Sequence, residues 1–320
     1  MNLVLLRRQA RRVVLPKADR RARHIMEVLR RTAPGPGDAG TPQQPVAVGV
    51  VGGPVGEAVL HAVGDDSITL VCDWAPKVSV PQLLPVDVLV GLARPETCRK
   101  VLRELSALGV RSVTFVLCTL SERSYSTSKL WRDGEWVRHL SLGAEQAFRT
   151  RLPAVHHCSS LRRALAGLGA ASPLLARSTP APLRPLPFAG LNNDPWPATR
   201  FYCHDTGDGS TPSLFSAPLP AGPGDAAIAF GPERGWSDEE LNLFEKAGWT
   251  AAHMVRALAH ASLCGAFSLI SLCAAFQGPQ IFRTETASVV GSSVLAGRMG
   301  LLDAGFEERR RHLRGCIEPD

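Results

Sequence analysis

The sequence predicts an α/β protein in two parts: a small N-terminal β-barrel over residues 1–76, and a larger α/β domain over residues 77–320. Three observations carry this. Short β-rich runs crowd the N-terminal part, divided by Gly, Pro and Asp, as in a small barrel. From Asp87 onward, continuous apolar runs alternate with amphipathic helical patterns, which calls for a parallel sheet with right-handed crossovers. A chain of 320 residues with 45% hydrophobic residues is long enough to bury two cores.

The elements follow in order. "MNLVLLRR" puts its apolar run, Leu3 to Leu6, ahead of its arginines, whereas a secretory signal has charge first. It reads as a first strand or as a mitochondrial presequence. "ADRRARHIMEVLRR" places Ala22, Ile25, Met26 and Leu29 at helical spacing, and "PGPGDAGTPQQP" is a loop. "VAVGVV", "GEAVLHAV" and "SITLVCDW" are short strands, and "APKVSVPQLLP" is a linker. "DVLVGLA" is the continuous apolar run of a doubly buried strand. Pro95 opens a helix with Val101, Leu102, Leu105 and Leu108 on one face, and Gly109 closes it. "VRSVTFVLC" completes a β-α-β unit, and "EWVRHLSLGAEQAFR" is a further helix. Residues 170–198, rich in Ala, Pro and Leu, define no element. "TRFYCHDTG" and "AAIAFGPERGW" are strands running into loops. "SDEELNLFEKAGW" is a helix whose Ser237 and Glu240 form a capping box and whose end is set by Gly248. "GPQIFRTETASVVGSSVLAGRM" leads from a strand end into a final helix.

Charge and cysteine usage narrow the function. The net charge is +7, and Met1 to Arg31 hold ten Lys/Arg against Asp19 and Glu27. A basic end on a balanced chain suits a polyanion, either nucleic acid or a membrane surface. The eight cysteines are scattered and form no C-x-x-C pair. That argues against a zinc ribbon or redox motif and for reduced, buried thiols in an intracellular protein, with no metal site.

Two motifs carry chemistry. "FGPERGW" is a glycine-rich turn between a strand and a capped helix, where Gly231 and Gly235 let backbone approach a ligand. "IFRTETA" sets Arg283 and Glu285 between an apolar strand and a helix, where charge must be paired. Together, "GPERGWSDEELNLFEKAGW" followed by "GPQIFRTETA" resembles the paired signature of the RsmE-type ribosomal RNA uridine-N3 methyltransferases of the SPOUT superfamily. "RRARHIMEVLR", "RPETCRKVLRELSALGV", "SERSY" and "GAEQAFRTRLPAV" extend the resemblance over most of the chain, apart from residues 160–198. The family begins almost directly with a barrel strand, which favours the strand reading of "MNLVLLRR".

The resemblance implies a PUA-like barrel that helps hold RNA, and a trefoil-knot (SPOUT) methyltransferase domain that binds S-adenosylmethionine and acts as a homodimer. It implies a cofactor site lined by His204, Gly231, Glu233, Gly235, Met254, Ile281, Phe282, Arg283 and Thr284. Arg283 would stabilise negative charge developing on the uracil oxygens, and Glu285 would orient Arg283 or accept a proton. The target base must be splayed or flipped, because N3 lies on its Watson–Crick edge. Arg11, Arg12, Arg21, Arg23 and Arg30, with Arg123 and Arg149, would contact RNA, which here is small-subunit ribosomal RNA. Glu145 and Gln146 match family motifs beside Arg149 and are expected to line the same cleft. The expected compartment is the cytoplasm, with a mitochondrial or plastid matrix as the alternative, and no membrane partner is expected.

Two departures from the family pattern stand out. Arg234 replaces a glycine of G-P-E-G-G, and a side chain there is expected to crowd the cofactor or demand a strained backbone angle. Residues 255–277 form an apolar insertion between the two signature motifs, and removing them restores the family spacing. The run is near the ~20 residues a membrane span needs, but a span would place the two halves of one cofactor site on opposite sides of a bilayer. The junctions suggest an alternative or retained exon segment. Two competing readings remain: a catalytically weakened RNA-binding relative whose cofactor loop the insertion disrupts, and a knotted methyltransferase acting on another RNA such as tRNA. If the insertion disrupts the site, titration calorimetry will show S-adenosylmethionine binding only to a chain lacking 255–277; if not, both forms will bind.

Overall fold

The computed structural model of the chain describes residues 2–34, 44–74, 82–167, 196–204, 211–219, 224–254 and 283–302. They fall into two compact units, Met1–Gln82 with Leu140–Leu152, and Leu83–His139 with Pro153–Asp320.

In the first unit, period-two burial builds a five-stranded sheet of β1 (Val4–Leu6), β2 (Arg12–Pro16), β3 (Val46–Val50), β4 (Val55–Val63) and β5 (Ser67–Trp74), in the order β1-β3-β4-β5-β2. β5 shows the alternation plainly: Ile68, Leu70 and Cys72 point inward while their neighbours do not. β1 is parallel to β3 and the other pairs are antiparallel. A register shift in β4 between Leu60 and Ala62 bends the sheet. The sequence gives little sign of β2, an edge strand that ends on Pro16, where a missing N–H is tolerated.

Helix α1 (Arg20–Arg23) begins where the Asp19 side chain accepts the Arg21 N–H at 2.8 Å, and it continues as a π-helical turn over His24–Val28. Ala22 and Ile25 are its core contacts, alongside Val4, Leu6, Leu15 and Val48. Leu3 and Leu5 take the other face of β1 and pack on Ala144. There the carbonyl of Glu145 accepts the amides of Asn2 and Leu3, at 3.2 and 3.1 Å. The buried Glu145 carboxylate pairs with Arg20, yet burial still pushes its pKa upward.

The second unit carries a six-stranded, all-parallel sheet. Its strands are β6 (Leu84–Gly91), β7 (Val110–Val116), β8 (Ala154–Cys158), β9 (Thr199–Cys203), β10 (Ala226–Phe230) and β11 (Thr250–Ala252), in the order β11-β9-β10-β6-β7-β8. Its helices are α2 (Pro95–Leu108), α3 (Lys129–Arg132), the start of α4 (Glu135–Gln146), α5 (Leu161–Leu165), α6 (Asp238–Lys246) and α7 (Thr284–Arg298). α2 ends at Gly109 with φ +81°, a left-handed cap that favours glycine. α2 and α7 pack together, and α7 also covers β6 and β10. α5 and α6 pack on each other, and Leu161, Phe244, Trp249 and Trp196 share one core with the opposite sheet face.

From β6 the chain steps outward to β7 and β8, then returns to fill the other side with β9, β10 and β11. β6 and β10 are therefore neighbours where the direction of winding reverses, and the carboxyl ends of such strands open a crevice for ligands. The insertion at 255–277 lies outside the described residues. Among the described residues, no helix is long and apolar enough to cross a membrane. The described cysteines are free thiols. Cys72, Cys98, Cys118 and Cys158 are buried, and burial pushes Cys158 up to about 11.

Edge strand β8 buries His156 and half-buries His157, whose ring lies 5.1 Å from that of Trp131. Burial lowers both to about 4. As pH falls through ~6.5 the unfolded chain takes up these protons while the folded chain resists them until about 4. Stability is then full above ~6.5 and falls as pH drops toward 4, by up to roughly 3 kcal/mol per histidine. Denaturant titrations between pH 7 and pH 4 are expected to show this fall, with a shallower one for His157→Phe.

Candidate active site

The site is built from the loops at the carboxyl ends of β6, β7, β9, β10 and β11. β10 ends at Phe230, Gly231 follows, and the chain turns through Pro232 to Gly235, whose N–H donates to the Pro232 carbonyl at 2.9 Å. The left-handed position of this turn is Gly235, with φ +74°. Arg234 is not among the residues with positive φ and its side chain is exposed. The expectation of a strained backbone angle at Arg234 is thus corrected: the turn places its unusual dihedral one residue later, on a glycine that accepts it.

Close approach explains three glycines. A Cβ on Gly231 would sit 3.2 Å from Gly235 Cα, so the turn folds back on itself. A Cβ on Gly91, at the end of β6, would meet Pro232 Cδ at 2.3 Å. One on Gly291 would meet the Phe230 ring at 2.7 Å and Met254 Sδ at 3.2 Å. The turn therefore packs directly on the end of β6, and the Phe230 and Met254 side chains pack directly on the backbone of α7.

Polar contacts lock the turn in place. Glu233 Oε1 accepts the Arg94 N–H at 3.0 Å and the Thr97 hydroxyl at 3.5 Å. Arg94 is the N-cap of α2 and Pro95 brings no N–H, so Glu233 supplies from another loop the carboxylate that a capping box would supply locally. The predicted capping box of α6 is present: Ser237 accepts the Glu240 N–H, and Glu240 Oε2 accepts the Ser237 N–H at 2.9 Å. Glu240 is 4% exposed, and its other oxygen accepts the Thr119 N–H at 2.8 Å, fixing the loop after β7 to this turn. Trp236 Nε1 donates to the Cys203 carbonyl at 3.2 Å, which ties in β9.

The remaining candidates gather around this frame. Thr284, the first residue of α7, donates its hydroxyl to the Gly231 carbonyl at 3.1 Å. Glu285 is half-buried and pairs with Lys100 of α2 at 3.2 Å. Arg283 is exposed at the N-cap, and its guanidinium has no partner among the described residues. His204 is half-buried, and its N–H donates to the Ala252 carbonyl at 3.1 Å. Met254 is buried against Gly291. Direct contacts join Gly231 to Gly235 and Thr284, Glu233 to Arg94 and Thr97, Met254 to Gly291 and Glu285 to Lys100, with His204 one strand further along. Ile281 and Phe282 lie outside the described residues. Lys100, Thr97 and Thr119 were not foreseen, because each reaches the site by a contact far apart in sequence.

The arginines assigned to RNA divide. Arg11, Arg12, Arg23 and Arg30 are exposed on the first unit, with Arg12 3.1 Å from the His61 ring. Arg21 is engaged by Asp19 at 2.7 Å and by the Leu5 carbonyl at 2.7 Å. Arg149 is buried within the first unit, as is Glu145, while Gln146 is exposed there and its carbonyl accepts from Asn2 at 2.8 Å. Arg123 is exposed in the second unit.

Residues 80–258, more than half of the chain, match the RNA methyltransferase domain family, and the chain belongs to that family. Within it, the chain is similar to Ribosomal RNA small subunit methyltransferase E of Treponema pallidum, 33% identical over 175 residues covering 54% of this chain and 56% of the relative. It is also 31% identical over 84 residues to Ribosomal RNA small subunit methyltransferase E 1 of Borreliella burgdorferi, covering 26% of this chain and 35% of that one. The matches span about half the length, or less, of these curated relatives. Two solved structures share the fold. Ribosomal RNA small subunit methyltransferase E of Neisseria gonorrhoeae, bound to S-adenosyl methionine, has a TM-score of 0.57 at 16% identity, covering 93% of this chain and 97% of its own. A Legionella pneumophila methyltransferase in complex with the same cofactor has a TM-score of 0.59 at 16% identity, with the same coverage.

Gly91→Ala is expected to destabilise the protein by about 1–3 kcal/mol, because the added methyl must displace the backbone of Pro232. Urea denaturation measures this, and a change within ~0.5 kcal/mol would contradict the close approach.

Proposed function

We propose that the chain is an S-adenosylmethionine-dependent methyltransferase for N3 of a uridine in small-subunit ribosomal RNA. In this reading the first unit is a PUA-like barrel that holds RNA. The second is a trefoil-knotted domain working as a homodimer in the cytoplasm or an organellar matrix. The observation that carries the reading is the Gly231–Gly235 turn, clamped by Glu233 to α2 and by Thr284 to α7 at the carboxyl ends of the parallel strands.

The residues present fit the cofactor. Gly231 and Gly235 carry no side chain to keep a ligand off the backbone, Met254 offers a soft apolar wall, and Thr284 holds the Gly231 carbonyl. These groups, with Ile281 and Phe282, would hold it. When bound, S-adenosylmethionine supplies a methyl group activated on a sulfonium. The chain's own residues then orient the uracil and manage its N3 proton. Arg283, exposed and without a partner among the described residues, would stabilise negative charge on the uracil oxygens as that proton leaves. Glu285 is occupied by Lys100, which suits a role in fixing the first turn of α7 beneath Arg283.

Titration calorimetry is expected to show S-adenosylmethionine binding to the full chain; no binding would overturn the reading. Arg283→Ala is expected to lower the methylation rate about 10²–10³-fold with cofactor affinity retained. Mass spectrometry of nucleosides from modified ribosomal RNA should find 3-methyluridine, and finding it only in tRNA would redirect the substrate assignment.

A further inference from the structure

Four loops of the second unit meet at the site, and each carries an exposed arginine: Arg94 after β6, Arg123 after β7, Arg234 after β10 and Arg283 before α7. Among the described residues none of these four guanidinium groups has a hydrogen-bond or ion-pair partner. Three other arginines of the same unit differ. Arg99 pairs with Glu96 and Glu135, Arg111 with Asp87 and Asp225, and Arg298 donates to the Leu214 and Ala217 carbonyls at 2.6 and 2.7 Å.

The backbone beneath the four arginines is tied together. The Ser121 hydroxyl donates to the Leu92 carbonyl at 2.7 Å and accepts the Cys118 N–H at 3.3 Å, joining the loops after β6 and β7. Glu240 joins the loop after β7 to the turn after β10. Glu233 joins that turn to the loop after β6, and Thr284 joins it to the start of α7. The nearby acids are partly spent on these and similar contacts. Glu233 faces the N-terminus of α2, Glu122 accepts the Ser124 N–H at 3.4 Å, Glu96 pairs with Arg99, and Glu285 pairs with Lys100. Asp238 and Glu239 lie on the first turn of α6. Beside these two acids the rim carries the four arginines, on loops joined by the hydrogen bonds above.

From this we infer that Arg94, Arg123 and Arg234 form a phosphate-binding rim around the active site and grip the RNA backbone beside the target base. The inference rests on the proposed function and adds the residues that hold the substrate there. It also gives Arg234 a role. The residue that breaks the family's glycine pattern stands on an unstrained backbone and reaches solvent, as a phosphate contact requires. Arginine presents a planar, permanently charged fork to phosphate, and each such contact adds salt-dependent affinity with little sequence preference.

The test is binding of a fluorescein-labelled oligouridine to the full chain across a salt series, for the wild type, Arg234→Gly, Arg94→Ala and the double variant. Each single change is expected to weaken binding several-fold at low salt and to reduce the slope of log K against log salt by about 0.7, the value for one single-strand phosphate contact; the double variant should lose about twice that. S-adenosylmethionine affinity by calorimetry should stay within about twofold in all four proteins, which separates a lost phosphate contact from a disturbed site. If the wild type binds with a steep salt slope and the variants match it, the rim is excluded while the proposed function stands. If the wild type shows no salt-dependent binding, both fail. If the variants lose cofactor affinity in step with RNA affinity, these arginines shape the site and do not grip phosphate.

Discussion

The carboxylate of Glu233, accepting the Arg94 N–H at 3.0 Å, is the contact on which the geometry of the site turns. A helix N-terminus leaves its first amides without partners inside the helix, and here a residue of the β10–α6 turn satisfies one of them. That bond fixes the turn against the end of β6, where Gly91 leaves room for Pro232, and so fixes the Gly231 carbonyl that Thr284 holds. Three segments far apart in sequence thereby become one frame. The frame is polar: Glu233 brings charged oxygen to a backbone N–H, a bond stronger than a neutral one, and Thr284 adds a neutral hydroxyl-to-carbonyl bond.

The amino ends of the same strands are held differently. Asp87 of β6 is 6% exposed and accepts Arg111 Nε at 3.0 Å and the Ser112 hydroxyl at 2.6 Å, while Arg111 also pairs with Asp225. Asp87 holds the Arg111 guanidinium well above its ordinary pKa, so the cation persists at every workable pH. A buried carboxylate is costly unless its oxygens are all used, and here both are. The sheet is thus locked by an ion pair at one end and by carboxylate–amide bonds at the other. At the second end, Arg94, Arg123, Arg234 and Arg283 have no guanidinium partner among the described residues.

Much of the fold was legible in the sequence because its signals are local. The apolar run of β6, the Pro95-to-Gly109 limits of α2, the Ser237–Glu240 capping box and the alternation in β5 each follow from spacing within a few residues. The strands that escaped notice lack such signals. β8 carries two histidines, tolerated because burial keeps them neutral, and β11 is only three residues long. β2 ends on a proline that only an edge position allows. The return of Leu140–Leu152 to the first unit, where Glu145 receives the amides of Asn2 and Leu3, is a long-range pairing that no local pattern announces.

By itself the sequence determined the alternation of strands and helices, the glycines of the turn and the order of the two motifs, because each depends on side-chain period or on the conformational freedom of single residues. Only the tertiary structure decided what the charged residues do. Glu233 and Glu240 became struts between loops, Glu285 was taken by Lys100, Arg21 by Asp19, and Arg234 was left free of strain because Gly235 took the left-handed position. The physical reason is that a charge acquires its role from what faces it across space, and in this chain those partners lie as much as 185 residues away along the sequence.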